Sequence, residues 1–166
     1  MLNHAFETGY TGKANRKTPG SVGTRCRQMA MMVLYEAPLQ MLCDSPTNYE
    51  KNEECFKFMA AVPTVWEKTI GVAGSPDTMA VVARQAKDGS WYVAGITKMG
   101  VPEYSFDYSF LGEGEWSCEE FTDGPNSGRI GTDFAHITYK ATPDMKRWLQ
   151  MNAGGGVVMK FTRTSK

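Results

Sequence analysis

"DTMAVVARQAKDGSWYVAGITKM", residues 77–99, decides the fold. Two β-type runs flank Asp88-Gly89, and both of those residues tolerate the positive φ that a tight hairpin turn demands. The pattern continues downstream as strand-length pieces: "EYSFDYSFL" (103–111), "EWSCEEFTDG" (115–124), "DFAHITYKA" (133–141), "RWLQMNA" (147–153) and "VVMKFTR" (157–163). In the first of these, Tyr104, Phe106, Tyr108 and Phe110 recur at period two, so one face carries four aromatics. Turn residues separate the pieces at short, fairly even intervals, which predicts an antiparallel sandwich or open barrel.

Upstream of Pro63 the texture differs. "TRCRQMAMMVLYEAP" (24–38) reads as a helix with Thr24 as N-cap, apolar nearly all round and therefore in need of cover on several sides. Pro38 ends it, because proline has no amide donor and the residue before it avoids helical geometry. "LQMLCD" (39–44) is short, apolar and bounded by turn residues, as a buried parallel strand would be. "SPTNYEKNEECFKFMAAVP" (45–63) then predicts a second helix with Tyr49, Cys55, Phe56, Met59 and Ala60 on one side. Helix, buried strand and helix suggest parallel α/β units too few to close a sheet. Within this chain alone, those elements are expected to be covered by a symmetric partner, swapped, or left as an exposed apolar patch. The boundary lies between Pro63 and Gly74, drawn as 1–66 and 67–166. Residues 1–22 read as a polar loop.

Length and charge narrow the possibilities. At 166 residues the chain can bury a core but cannot hold a complete eight-fold β/α barrel, which needs roughly 250 residues. Eighteen Lys plus Arg balance eighteen Asp plus Glu, so the electrostatic footprint of a nucleic-acid binder is missing. The five bases of residues 1–27 (Lys13, Arg16, Lys17, Arg25, Arg27) lack interleaved aromatics and read as a solvated segment. No run approaches the ~18 apolar residues of a membrane span, and residues 1–22 lack the apolar centre of a signal peptide, so a soluble chain with no membrane partner is expected.

Chemistry is sparse. There is no nucleophile elbow, no H-E-x-x-H and no phosphate loop; Gly154-Gly155-Gly156 lies between two strand pieces and reads as a turn. Four cysteines show no C-x-x-C pairing, which argues against zinc. Cys43 and Cys55 flank one short loop, where a disulfide or a pair of buried free thiols are the alternatives. His4 and His136 lie in a loop and a strand, too far apart in kind to pair as ligands. Glu119 and Glu120 point to opposite faces of one strand and read as exposed carboxylates, not as an acid and base pair. Asp44 ends the predicted buried strand, where barrel enzymes place their sites; it equally fits a cap on the following Ser-Pro turn. Trp66 and the pair Trp91-Tyr92 are either sugar-stacking platforms or core.

The order of these pieces carries a resemblance. "GTRCRQMAMMVLYEAPLQMLCDSPTNYEKNEECFKFMAAVPTVWEKT" (23–69) resembles the end of the catalytic barrel in glycoside hydrolase family 97. Residues 77–99, "FLGEGEW" (110–116) and "GGGVVMKFTR" (154–163) resemble that family's C-terminal all-β domain. The resemblance implies an α+β fragment: the last helix-strand-helix elements of a (β/α)8 barrel (1–66) followed by an antiparallel all-β sandwich (67–166). It implies an exo-acting α-glycosidase of glycan degradation acting on α-linked oligosaccharides, with a lean to α-glucosidase over α-galactosidase. It further implies calcium in the full enzyme, a periplasmic location and a homo-oligomer. The family's catalytic carboxylates and calcium-binding glutamates match no position here, so no residue of this chain is assigned as catalytic or metal-binding. Asp44 and Trp66 are expected near the substrate cleft, and the chain alone is expected to be inactive, in a structural or oligomerising role. A stand-alone carbohydrate-binding or interaction module is the alternative.

Overall fold

The structure, a computed structural model, describes residues 23–37, 39–42 and 45–164. Among the described residues three helices come first: α1 (Arg25–Leu34), α2 (Pro46–Glu50) and α3 (Glu53–Ala61). Eight strands follow: β1 (Lys68–Ser75), β2 (Met79–Gln85), β3 (Trp91–Thr97), β4 (Val101–Asp107), β5 (Trp116–Asp123), β6 (Phe134–Ala141), β7 (Lys146–Met151) and β8 (Gly156–Arg163). Six of them form one antiparallel sheet in the order β1-β2-β3-β8-β5-β6, and β4 with β7 forms a separate two-stranded ribbon. The β2–β3 hairpin forms where the sequence places it, with Gln85 opposite Trp91. Only Gly89 there takes a positive φ, +83°, while the Asp88 carboxylate accepts from the Ser90 N–H and hydroxyl.

Strand alternation divides the side chains into two cores. On one face Val81, Ala83, Trp91, Val93, Trp116, Cys118, Val157, Met159 and Phe161 meet Phe106, Leu149 and Met151 of the ribbon. The four aromatics at period two pack into this one core, but the strand expected to carry them ends at Asp107, and Ser109–Leu111 form a 3-10 turn. Phe106–Tyr108 and Tyr108–Phe110 meet edge-on at 5.5 and 6.3 Å, and Tyr104 stacks on Phe106. On the opposite face Tyr92, Ala94, Phe121 and Val158 receive the helices through Cys26, Met29, Ala30, Val33, Phe58 and Met59. The molecule therefore has three layers, helices, sheet and ribbon.

The helical segment departs from its expected behaviour. Thr24 caps α1 as read from the sequence, its hydroxyl oxygen accepting from the Arg27 N–H at 3.1 Å. The apolar face of α1 is not left for a partner, however: it docks on β3 and β8 of the same chain. Full burial of Met29 and Val33 alone stabilises this docking by roughly 1.5–3 kcal/mol per side chain. The second helix divides into α2 and α3, and its buried face runs through Cys55, Phe58 and Met59 rather than including Ala60, which is exposed. The parallel strand expected at 39–44 is absent over residues 39–42. Leu39 and Met41 are 78% and 77% exposed, because none of the described residues offers this segment a strand ladder.

Candidate functional site

Of the expected site residues, Asp44 lies outside the described residues. Trp66 is half-buried, edge-on to Tyr92 at 5.4 Å with the Arg84 guanidinium over its ring at 5.7 Å. It lines an open cleft of about 390 Å³ with Glu36, Ala37, Val65, Glu67 and Lys68. Trp91 and Tyr92, the other platform candidates, are both core residues, which leaves neither face open to a sugar. Cys55 is a buried thiol pushed up to about 11 by desolvation; Cys43, its partner in the disulfide alternative, lies outside the described residues. Cys26 and Cys118 are free and buried as well.

The pair Glu119-Glu120 corrects the sequence reading. The two do point to opposite faces, but Glu120 is fully buried between sheet and ribbon. Trp116, Cys118 and Glu120 share the ribbon-facing register of β5, and Arg147, Leu149 and Met151 share the sheet-facing register of β7. Arg147 grips Glu120 in bidentate fashion, Nη2 to Oε1 at 2.7 Å and Nε to Oε2 at 3.0 Å. The Tyr139 hydroxyl donates to Oε2 at 2.9 Å, so Tyr108 donates in turn to the Tyr139 oxygen. Desolvation holds both phenols well above their ordinary range and pushes the Cys118 thiol up to about 12. The hydrogen bonds that Arg147 donates to Glu120 hold its guanidinium above its ordinary range. A carboxylate enclosed in this way is a structural anchor, without the solvent access or the second carboxyl that glycoside hydrolysis requires.

His136, on β6, stacks on Phe121 at 3.9 Å, with Nδ1 2.8 Å from Glu54 of α3 and Nε2 3.0 Å from Glu119 of β5. Both ring nitrogens are thus engaged, Nδ1 tying α3 to the sheet and Nε2 bridging β6 to β5. Among the described residues no group of three or more His, Cys, Asp or Glu side chains is placed to hold a metal ion. Nor is any described helix long and apolar enough to cross a membrane.

A second polar cluster was not legible in the sequence. The Asp123 Oδ2 accepts from the Asn152 N–H at 3.3 Å and the Gly156 N–H at 3.1 Å, and the Thr24 side chain lies beside the carboxylate, whose Oδ1 is buried. Desolvation outweighs these bonds and pushes its carboxyl up to about 6. Below pH ~3.8 both folded and unfolded chains hold the proton. From there to about 6 only the folded chain keeps it, so this group's contribution to stability falls as pH rises through that window and is constant above it. The Asp123→Asn variant should lose that slope. Urea unfolding of wild type and variant at pH 4.5 and 7.0 checks it: the difference between them should shift by about 2 kcal/mol in favour of the variant at the higher pH.

Comparison with known proteins identifies the arrangement. A family model described as "Glycosyl-hydrolase 97 C-terminal, oligomerisation" matches residues 65–162. The chain is 39% identical over 143 residues to a retaining alpha-galactosidase of Bacteroides thetaiotaomicron, an alignment covering 86% of this chain and 22% of that protein. It is 30% identical over 115 residues to a probable retaining alpha-galactosidase of Streptomyces bingchenggensis, covering 69% and 18%. Among solved structures, a glycoside hydrolase family 97 enzyme from Pseudoalteromonas sp. strain K8, determined with acarbose and as a variant with panose, superposes with a TM-score of 0.84 at 25% identity, covering 92% of this chain and 24% of that one. The chain thus spans about a fifth of the length of these curated relatives. It belongs to glycoside hydrolase family 97, of which it carries the C-terminal domain.

Proposed function

We propose that this chain is the non-catalytic C-terminal part of an exo-acting α-glycosidase, holding subunits together while the chemistry belongs to residues outside it. The match of an oligomerisation domain to residues 65–162 carries the reading. Two features support it: the described carboxylates form no acid and base pair, and the exposed run through Tyr35, Leu39, Met41 and Leu42 needs cover. Residues 1–66 are, in this proposal, the closing edge of a catalytic barrel whose other strands cover that run. Calcium and a periplasmic location enter from the family resemblance alone.

For the sugar, the relatives' names favour a terminal α-galactoside. The α-glucoside expected from residues 36–44 is the second reading, favoured by a related enzyme bound to panose, a trisaccharide of glucose. The chain should release no p-nitrophenol from p-nitrophenyl α-galactoside or α-glucoside, with or without calcium, and should sediment as more than one copy. Turnover above the uncatalysed background overturns the non-catalytic reading; a monomer at every concentration overturns the oligomerising one.

A further inference from the structure

We propose that the solvent face of the β4–β7 ribbon is the surface on which a second copy of this chain docks, along a two-fold axis parallel to the strands. The inference rests on the oligomerising role proposed above and names where it resides. The ribbon caps the face of the sheet opposite the helices, so its outer side points away from the exposed Tyr35, Leu39, Met41 and Leu42 that the rest of the family enzyme would cover.

The outer face is built by alternation. Tyr104, Phe106, Leu149 and Met151 turn inward. That leaves Glu103, Ser105 and Asp107 on β4 and Lys146, Trp148 and Gln150 on β7 turned outward. The register puts Ser105 opposite Trp148 and Asp107 opposite Lys146. Trp148 is 56% exposed, whereas Trp91 and Trp116 are buried and Trp66 half-buried. Ile137, across the β5–β6 pair from Glu120 and so on the same side of the sheet, is exposed too.

This face is complementary to itself. A closed dimer needs a patch in which each residue meets its counterpart twice. Rotation about an axis along the strands lays β7 of one copy over β4 of the other. Trp148 then covers the small Ser105 of the partner subunit, Lys146 meets the partner's Asp107, and Gln150 meets the partner's Glu103. Rotation about an axis across the strands would instead bring the acids of β4 together, which like-charge repulsion opposes. A central tryptophan ringed by polar and charged groups is the usual anatomy of an interface hot spot.

Sedimentation velocity over a concentration series tests this. Trp148→Ala should weaken self-association about thirtyfold, the effect of removing a hot-spot side chain. Ser105→Arg, which keeps Trp148 but fills the space it would occupy, should weaken it as well. Lys146→Glu should weaken it, and adding Asp107→Lys should restore it. Because Trp148, Lys146 and Asp107 are exposed and Ser105 is half-buried on the same outer face, each variant's thermal midpoint should stay near that of wild type; if one variant unfolds, the others decide. Self-association unchanged in Trp148→Ala and Ser105→Arg overturns the surface while leaving the oligomerising role intact. A monomeric wild type overturns both. A saturable, Trp148-dependent fluorescence change on adding malto- or galacto-oligosaccharides, with association unaffected by the variants, makes the ribbon a sugar platform and overturns the proposal.

Discussion

Arg147→Ala is expected to destabilise the chain by about 3–5 kcal/mol, because it leaves the Glu120 carboxylate enclosed without its counter-charge. A two-stranded ribbon is marginal on its own, and here it is held to the sheet by Phe106, Leu149 and Met151 around this one bidentate pair. The loss should appear as a drop of about 10 °C in thermal midpoint and as an earlier urea transition. Arg147→Lys keeps the charge but not the forked geometry and should fall between the two. The Glu120→Met, Arg147→Leu double variant should recover most of the loss, since apolar packing of similar volume commonly replaces a buried ion pair without penalty. If Arg147→Ala costs less than about 1 kcal/mol, the range of an exposed pair, then the pair does not hold the ribbon.

Much of this architecture is legible in the residues, and the failures have identifiable causes. Asp88-Gly89 and the alternation of Tyr104, Phe106 and Tyr108 report the hairpin and an aromatic face because both are local properties of the chain. Glu120 was also within reach. It continues the register of Trp116 and Cys118, and Arg147 continues that of Leu149 and Met151, so two opposite charges on two buried registers announce a pair. Reading Glu119-Glu120 by residue type alone hid that. The segment at 39–42 failed differently: apolar content predicts a buried strand only where a ladder exists, and none of the described residues supplies one. The cover over α1 could not be read either. A helix that is apolar all round demands burial but does not say against what, and β3 and β8 show their second apolar face only through single residues such as Tyr92, Ala94 and Val158.

The glycine run holds the last of these lessons, and Gly156→Ala is expected to release α1 from the sheet. The run does lie at a turn, as its position between strand pieces indicates: Ala153 and Gly154 form the turn and Gly156 opens β8. What the sequence does not show is how closely the backbone of α1 approaches them. Thr24 donates its N–H to the Gly154 carbonyl at 3.1 Å. A Cβ on Gly156 would stand 2.7 Å from the Arg27 Cα, 2.8 Å from its N and 3.0 Å from the Gly95 carbonyl oxygen. All three are main-chain atoms, which cannot swing aside as a side-chain tip would, so the helix or the strand must move. Strand β8 is locked by backbone ladders to both β3 and β5, whereas α1 packs on the sheet and on α3 mainly through side chains, so the helix should yield. The variant should lose about 3 kcal/mol, the upper end for overpacking. Its signature should be local: Cys26 and Cys55, buried beneath the helices, become reactive to a thiol reagent, while Cys118 on the ribbon side stays protected. Equal exposure of all three thiols would mean global unfolding, and protection of all three would mean the contact is slack. Gly89→Ala gives the contrast, because its Cβ meets nothing within 4 Å and only the positive φ is strained, so both cores should keep their thiols covered.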